Sequence, residues 1–164
     1  MSEGWSKLLD IGPLADGRAD IDFSIPLKEF PRLLPLLAAP HGEARGRVDF
    51  AREGRIAVAE VSVAADATLL CQRCLSPLQW PVNSSGRAAL IATHAEAARV
   101  PETLETVLAP DYRISLRDLV EEELLLALPL VPRHQDDECA GARASTPDDR
   151  QRPFGQLSEL LKRQ

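Results

Sequence analysis

A chain of 164 residues with 45% hydrophobic side chains suits one domain, or one domain with a loose tail, and 4% aromatics make its core an aliphatic one. No apolar run approaches the length of a membrane span, and the opening Met1-Ser2-Glu3-Gly4-Trp5 lacks the basic and apolar regions of a secretory signal, so a cytoplasmic protein with no membrane partner is expected. A net charge of −6 argues against a wholesale nucleic-acid coat, because nonspecific binding depends on Lys and Arg neutralising phosphates.

In chain order, residues 1–17 are punctuated by Gly and Asp and read as an extended surface arm. Residues 18–25 alternate, with Ala19, Ile21, Phe23 and Ile25 on one face, the pattern of a half-buried strand. Residues 27–38 carry leucines at helical spacing but are broken by Pro31 and Pro35, which predicts a turn and then a short or kinked helix. A hairpin follows: residues 46–51, the turn Arg52-Glu53-Gly54-Arg55, and a return from Ile56. In that return Ala57, Ala59, Val61, Val63, Ala65, Ala67, Leu69 and Cys71 share one face, so a single long, bent strand runs straight into a cysteine pair. Residues 78–82 read as a short strand that Pro81 confines to an edge, residues 86–92 as another after Asn83-Ser84-Ser85-Gly86, and residues 104–108 as a further one.

The next element is a helix starting near Leu116. Ser115 stands where its hydroxyl caps the first turn, with the Asp118 carboxylate placed to reach back to the cap. Leu116, Leu119, Val120, Leu124, Ala127 and Leu128 form its apolar stripe, Leu125 and Leu126 widen that stripe toward a second covered side, and Arg117, Asp118, Glu121 and Glu122 are left for water. Pro129 ends the helix and pushes Leu128 out of helical geometry, so Pro129-Leu130-Val131-Pro132 is an extended strap that delivers His134 and Cys139.

Residues 1–139 are thus expected to form one domain, residues 140–151 a flexible linker, and residues 152–164 a short amphipathic helix with Leu157, Leu160 and Leu161 on one stripe, which either docks back or meets a partner. Strands precede helices and do not alternate with them. That predicts an α+β fold: a curved, partly barrel-like antiparallel sheet with helices packed on it.

Three cysteines in a reducing compartment argue against a disulfide framework and leave metal binding, redox chemistry or plain burial. Cys71-Gln72-Arg73-Cys74 has the spacing of a metal knuckle, and His134 with Cys139, about sixty residues on, completes a Cys3His set of the kind tetrahedral zinc takes. The competing reading makes Cys71 a small buried hydrophobe at the end of an apolar strand face and the others turn or loop residues. A thioredoxin-like role would want the pair to open a helix, whereas Leu75-Ser76-Pro77 reads as a turn. No Gly-x-Ser-x-Gly elbow, Gly-rich phosphate loop or His-Glu-x-x-His helix is present, and a hydrolytic pair such as Glu122 with His134 would have to be assembled by the fold.

Charge is unevenly spread, with 11 basic and 12 acidic side chains in residues 1–100 against 8 and 13 in residues 101–164. Arg45, Arg47, Arg52 and Arg55 cluster around the hairpin and Arg73 sits inside the cysteine turn, a set that could grip RNA phosphates with Trp80 or Phe50 to stack on a base. Asp49 and Glu53 dilute it.

Three blocks together resemble the large ribosomal RNA subunit accumulation proteins, the YceD-like proteins of bacteria and chloroplasts. They are residues 70–77 around the cysteine pair, residues 118–134 with Cys139, and residues 152–157, where Arg152-Pro153-Phe154 stands in place of the family's common Asn-Pro-Phe. The resemblance covers roughly residues 20–164 and is loose over the first fifty. It implies a cytoplasmic, non-catalytic ribosome-biogenesis factor needed for synthesis, processing or accumulation of 23S ribosomal RNA. It further implies that the partner is the pre-ribosomal large subunit, through 23S RNA or a ribosomal protein, with no small-molecule substrate. On that reading the contact residues are drawn from the five arginines and from Phe154, Leu157 and Leu161 of the tail. The rival is a small zinc-binding interaction module that acts on ribosomal RNA only indirectly.

Overall fold

The computed structural model describes residues 4–135 and Cys139. In chain order its elements are β1 (Leu8–Asp10), α1 (Ile11–Asp16), β2 (Asp20–Pro26), β3 (Glu43–Glu53), β4 (Ile56–Leu70), β5 (Pro77–Ile91), α2 (His94–Ala97), β6 (Glu105–Leu108), β7 (Arg113–Ser115) and α3 (Leu116–Ala127). Short 3-10 turns occupy Leu27–Glu29, Leu34–Leu36 and Pro110–Tyr112.

The alternation in β4 sets the architecture. Ala57, Ala59, Val61, Val63, Ala65, Ala67 and Leu69 are all buried on one face of this 15-residue strand, and Cys71 continues that parity just beyond it. β4 lies at the centre of a sheet ordered β2-β3-β4-β5-β6, antiparallel through β5, with a parallel β5–β6 pair at the end. The sheet is open. β2 and β6 are its two edges, so the expected barrel-like closure does not occur: β6 is only 4 residues long and pairs with the last turn of β5 alone. The parallel pair arises because the chain returns over residues 92–104, including α2, before laying down β6 in the same direction as β5.

Two further expectations are corrected. Residues 1–17 are not a surface arm throughout: β1 pairs with β7, and α1 buries Ile11 and Ala15 in the core. Asp10 caps α1 by accepting from the Gly12 amide at 3.1 Å. Residues 78–92 do not form two strands but the single strand β5, which pairs with β4 from Pro77 to Leu90. Pro81 fits because β6 reaches only Ala88–Ile91, so Pro81's half of the strand has a strand partner on one side alone and its missing amide breaks no ladder on the other.

On the buried face lies α3. Ser115 accepts from the Asp118 amide at 3.1 Å, as the capping pattern predicts, whereas the Asp118 carboxylate is held by Arg117 at 3.0 and 3.1 Å and does not return to the cap. Leu116, Leu119, Val120 and Leu124 are buried against Phe23, Ile25, Val48, Phe50, Val82 and Leu90 in one continuous core. The alanines of β4 and Gly86 of β5 leave room for the helix; a Cβ on Gly86 would sit 2.1 Å from an Oε of Glu123. The helix ends at Ala127, and Leu128 before Pro129 takes the extended φ −73°, ψ 145°. Leu126 is 68% exposed, so the stripe covers one side of the helix and not two.

Glu121 departs furthest from its expected place in water, being 1% exposed. Its Oε1 accepts from the amides of Arg32 at 2.7 Å and Leu33 at 3.1 Å, and its Oε2 accepts from Arg32 Nε at 3.1 Å. Arg32 then reaches Glu122 at 2.7 Å. The carboxylate therefore supplies the backbone acceptors that the turn ahead of Leu34–Leu36 lacks, and it ties that turn to α3. Replacing Glu121 with Ala strands a buried amide and should cost about 2–3 kcal/mol in urea unfolding. Glu121→Gln, which keeps an amide acceptor, should lose less than half as much. Equal, negligible losses for Glu121→Ala and Glu122→Ala would show that the buried carboxylate carries no such role.

Candidate metal centre

Cys71 reaches the site because β4 ends on its inward parity, where the side chain is fully buried. A tight turn then returns the chain: the Leu75 amide donates to the Cys71 carbonyl at 2.9 Å, the Cys71 amide donates to the Ser76 carbonyl at 3.0 Å, and Leu75 takes a left-handed φ of 59°. This folds Cys74 back beside Cys71. The strap arrives from the other end of α3 and is pinned by a hydrogen bond from the Gln72 amide to the Pro132 carbonyl at 2.8 Å.

Two residues further on, the His134 amide donates to Cys71 Sγ at 3.5 Å. His134 Nδ1 lies 3.4 Å from Cys74 Sγ and 3.9 Å from Cys139 Sγ, and Cys139 Sγ lies 3.6 Å from Cys71 Sγ. All four donor atoms are within 4.8 Å of one another, a group that could hold a metal ion. The sulfurs are free thiols, too far apart for a disulfide bond.

These separations match a tetrahedral ion. Sulfur at about 2.3 Å and nitrogen at about 2.0–2.1 Å from a common centre put S···S near ~3.8 Å and S···N near ~3.6 Å. The imidazole is already oriented for it: Nε2 lies 3.1 Å from the Pro77 carbonyl, which can only accept, so Nε2 carries a proton and Nδ1 faces the thiols. Contact with Cys71 raises the pKa of His134 in the bare protein, and an ion would take the place of the Nδ1 proton.

Electrostatics divides the three thiols. Burial opposes charge at Cys71, yet the amides of His134, Cys74 and Arg73 together outweigh it and hold the thiol down to about 5. The Ser76 amide, against burial, also draws Cys74 downward. Burial and then the neighbouring Cys71 and Cys74 push Cys139 up to about 11. Cys71 and Cys74 are thus drawn toward the charged form and Cys139 away from it, and three thiolates in so small a space would require a cation among them. Plain burial accounts for Cys71 and Cys139, both enclosed, but not for an imidazole nitrogen aimed at them. A redox pair is disfavoured by position, since Cys71 and Cys74 lie in the turn between β4 and β5 and do not open a helix.

The sequence-derived arginines do not form one patch. Arg45 pairs with Glu43, and Arg47 is held by Asp20 at 2.7 Å, Asp49 at 2.9 Å and Asp22 at 3.4 Å on the outer sheet face. Arg52 pairs with Asp16 but shares with Arg55 a cleft of about 1080 Å³ that also takes in Arg99 and Tyr112, two residues the sequence did not single out. Among the described residues Arg55 and Arg99 make no ion pair. Arg73 sits within the knuckle, its amide serving Cys71. Phe50 is 2% exposed, so it cannot stack on a base, and Trp80 is partly buried against the core. Glu122 and His134 are not brought together: Glu122 meets Arg32, and His134 is committed to the thiols and Pro77. Phe154, Leu157 and Leu161 lie outside the described residues. Nothing in residue types or spacing signalled the Pro77 carbonyl, because a backbone acceptor is invisible until the fold presents it.

Compared with known proteins, the chain matches a family model described as "Large ribosomal RNA subunit accumulation protein YceD" over residues 59–161. Six curated proteins match. One of them, the "Large ribosomal RNA subunit accumulation protein YceD" of Haemophilus influenzae, is 27% identical over 135 residues, which span 80% of this chain and 78% of that protein. No solved structure gives a significant match.

The geometry makes a direct spectroscopic prediction. Cobalt(II) added to the reduced, metal-free full chain should develop the intense visible bands of a tetrahedral, sulfur-rich site and saturate at about one equivalent. Cys74→Ser and His134→Ala should each weaken binding by at least ~tenfold. A weak, octahedral spectrum from the unaltered chain would mean that the four donors do not converge on one ion.

Proposed function

The chain belongs to the large ribosomal RNA subunit accumulation protein family, whose model matches residues 59–161, and from that premise we propose that it is a non-catalytic factor supporting synthesis, processing or accumulation of 23S ribosomal RNA during large-subunit assembly. The observation that supports the non-catalytic reading is the donor group itself: Cys71, Cys74, His134 and Cys139 would supply all four positions of a tetrahedral ion. A catalytic zinc keeps a position open for water or substrate, and a structural one does not. We propose zinc as the ion. When bound it would supply charge compensation and cross-linking, fastening the end of β4 to the strap behind α3.

The proposed partner is the pre-ribosomal large subunit, met in the cytoplasm. Among the described residues no helix is long and apolar enough to cross a membrane, which agrees with that setting. For RNA we take the cleft holding Arg52, Arg55 and Arg99 as the contact, because among the described residues Arg55 and Arg99 make no ion pair, although Asp10, Glu96 and Asp111 line the same cleft. Arg45 and Arg47 would have to exchange their present partners for phosphates, and Arg73 stands beside the knuckle as a lesser contact. A second reading, a zinc module whose effect on ribosomal RNA is indirect, draws on the apolar residues exposed around the clasp, Leu75 and Leu130 among them.

Depleting the protein in its host should lower mature 23S RNA and accumulate its precursors relative to 16S; unchanged RNA and subunit profiles would refute the assembly role. Crosslinking to RNA in growing cells separates the two readings, with contacts at Arg55 and Arg99 expected for direct binding and none for the indirect one. Protein purified without chelator should hold about one zinc per chain. Cys71→Ser should lose it and drop the thermal midpoint by about 10 °C, the size expected for a loss of about 3 kcal/mol.

A further inference from the structure

Among the described residues, seven of the ten large apolar side chains left in water gather at one end of the molecule. Leu34, Leu36, Leu70, Leu75, Leu126, Leu130 and Val131 belong to the turn Leu34–Leu36, the end of β4, the knuckle, the end of α3 or the strap, whereas Leu8, Leu108 and Tyr112 lie elsewhere. Between them runs a groove of about 380 Å³ walled by Leu36, Leu70 and Leu130, with Leu69, Leu125 and Leu128 also lining it. Gln72 is its one polar lining residue. A surface this apolar has nothing to offer a phosphate backbone and marks a site for protein.

The chain itself brings a segment of matching character to the same place. Cys139 Sγ is 3.6 Å from Cys71 Sγ, and Cys71 is the neighbour of Gln72 in the groove wall, so the remaining 25 residues depart from the groove's own end. Residues 140–151 contain no large apolar side chain, whereas residues 152–164 contain Phe154, Leu157, Leu160 and Leu161. As a flexible tether, twelve residues of this composition would span about 20 Å, ample for a groove that begins beside Cys139. The family match also runs from β4 through residue 161, taking in most of the groove and these four side chains while leaving out β1, β2 and β3.

We propose that residues 152–164 dock in cis in this groove, with Phe154, Leu157, Leu160 and Leu161 covering the apolar surface between the turn Leu34–Leu36, the end of β4 and the strap. The tether makes even a weak contact sufficient: at an effective concentration of about 1 mM, a segment whose free affinity is about 0.1 mM occupies its groove roughly nine-tenths of the time. A macromolecular partner reaches either surface by displacing the other. The inference stands apart from the ribosomal RNA reading, since it concerns the purified chain alone.

Hydrogen–deuterium exchange on the full-length chain tests it. Leu157→Asp with Leu161→Asp alters only the tail, and it should speed exchange at Leu130, Val131, Leu36 and Leu37 at least ~threefold while the β4–β5 ladder keeps its protection. Reciprocally, Leu130→Asp on the exposed strap should speed exchange across residues 152–164. Unchanged exchange in both variants overturns the proposal. So does protection that fades on dilution, which would assign the groove to a second copy of the chain. A 152–164 peptide added in trans to the tail variant should restore the slow exchange, and failure to do so at millimolar peptide would also count against docking.

Discussion

The contact between the cysteine knuckle and the strap is the constraint on which the lower end of the molecule depends. Two irregular pieces meet there: a turn with a left-handed Leu75 on one side, a proline-stiffened extended segment on the other. The Gln72 to Pro132 hydrogen bond sets their register, and the four donor atoms then fall at distances a tetrahedral ion would share. The thiol chemistry follows from the same packing, because the amides that lower Cys71 come from both segments, His134 on the strap and Arg73 and Cys74 in the knuckle. Pulling the strap away would remove the imidazole and one of those amides together.

α3 is what aims the strap, and it is held from more than one direction. Its leucines bury against β2, β3, β4 and β5, Glu121 caps the turn ahead of Leu34–Leu36, Glu122 takes Arg32, and Glu123 accepts from Ser84 over Gly86. Of three successive glutamates, Glu121 and Glu122 share Arg32 and Glu123 takes Ser84, and only Glu121 is fully buried. The helix C-terminus, where Pro129 forces the chain straight, is in consequence fixed relative to the end of β4. Metal geometry at the clasp needs that fixed relation, since donor atoms contributed by segments about sixty residues apart have to meet within a few tenths of an ångström.

The chain belongs to the large ribosomal RNA subunit accumulation protein family, and Cys71, Cys74, His134 and Cys139 form a group that could hold a metal ion. The surfaces divide by chemistry. The cleft with Arg52, Arg55 and Arg99 mixes these cations with Asp10, Glu96 and Asp111 and the ring of Tyr112, while the groove at the clasp end is lined by apolar side chains and Gln72.

How much could be read from the chain before folding differs element by element. Local patterns determined β4, the Ser115 cap, the Pro129 stop and the membership of the Cys3His set, because alternation, capping chemistry, proline sterics and ligand type are properties of neighbouring residues or of side-chain identity. They misplaced Glu121, which looks solvated in any helical wheel and is buried by an amide pair from residues 32 and 33. They also split β5 at Pro81 and kept Phe50 available for stacking, since neither strand continuity nor the depth of an inward side chain is legible without the partner strands. The openness of the sheet, the dispersal of the arginines onto separate carboxylates, and the meeting of His134 with the thiols were decided only in three dimensions. Each is a contact between groups distant in sequence, whose free energy exists only once the chain has closed the loop between them.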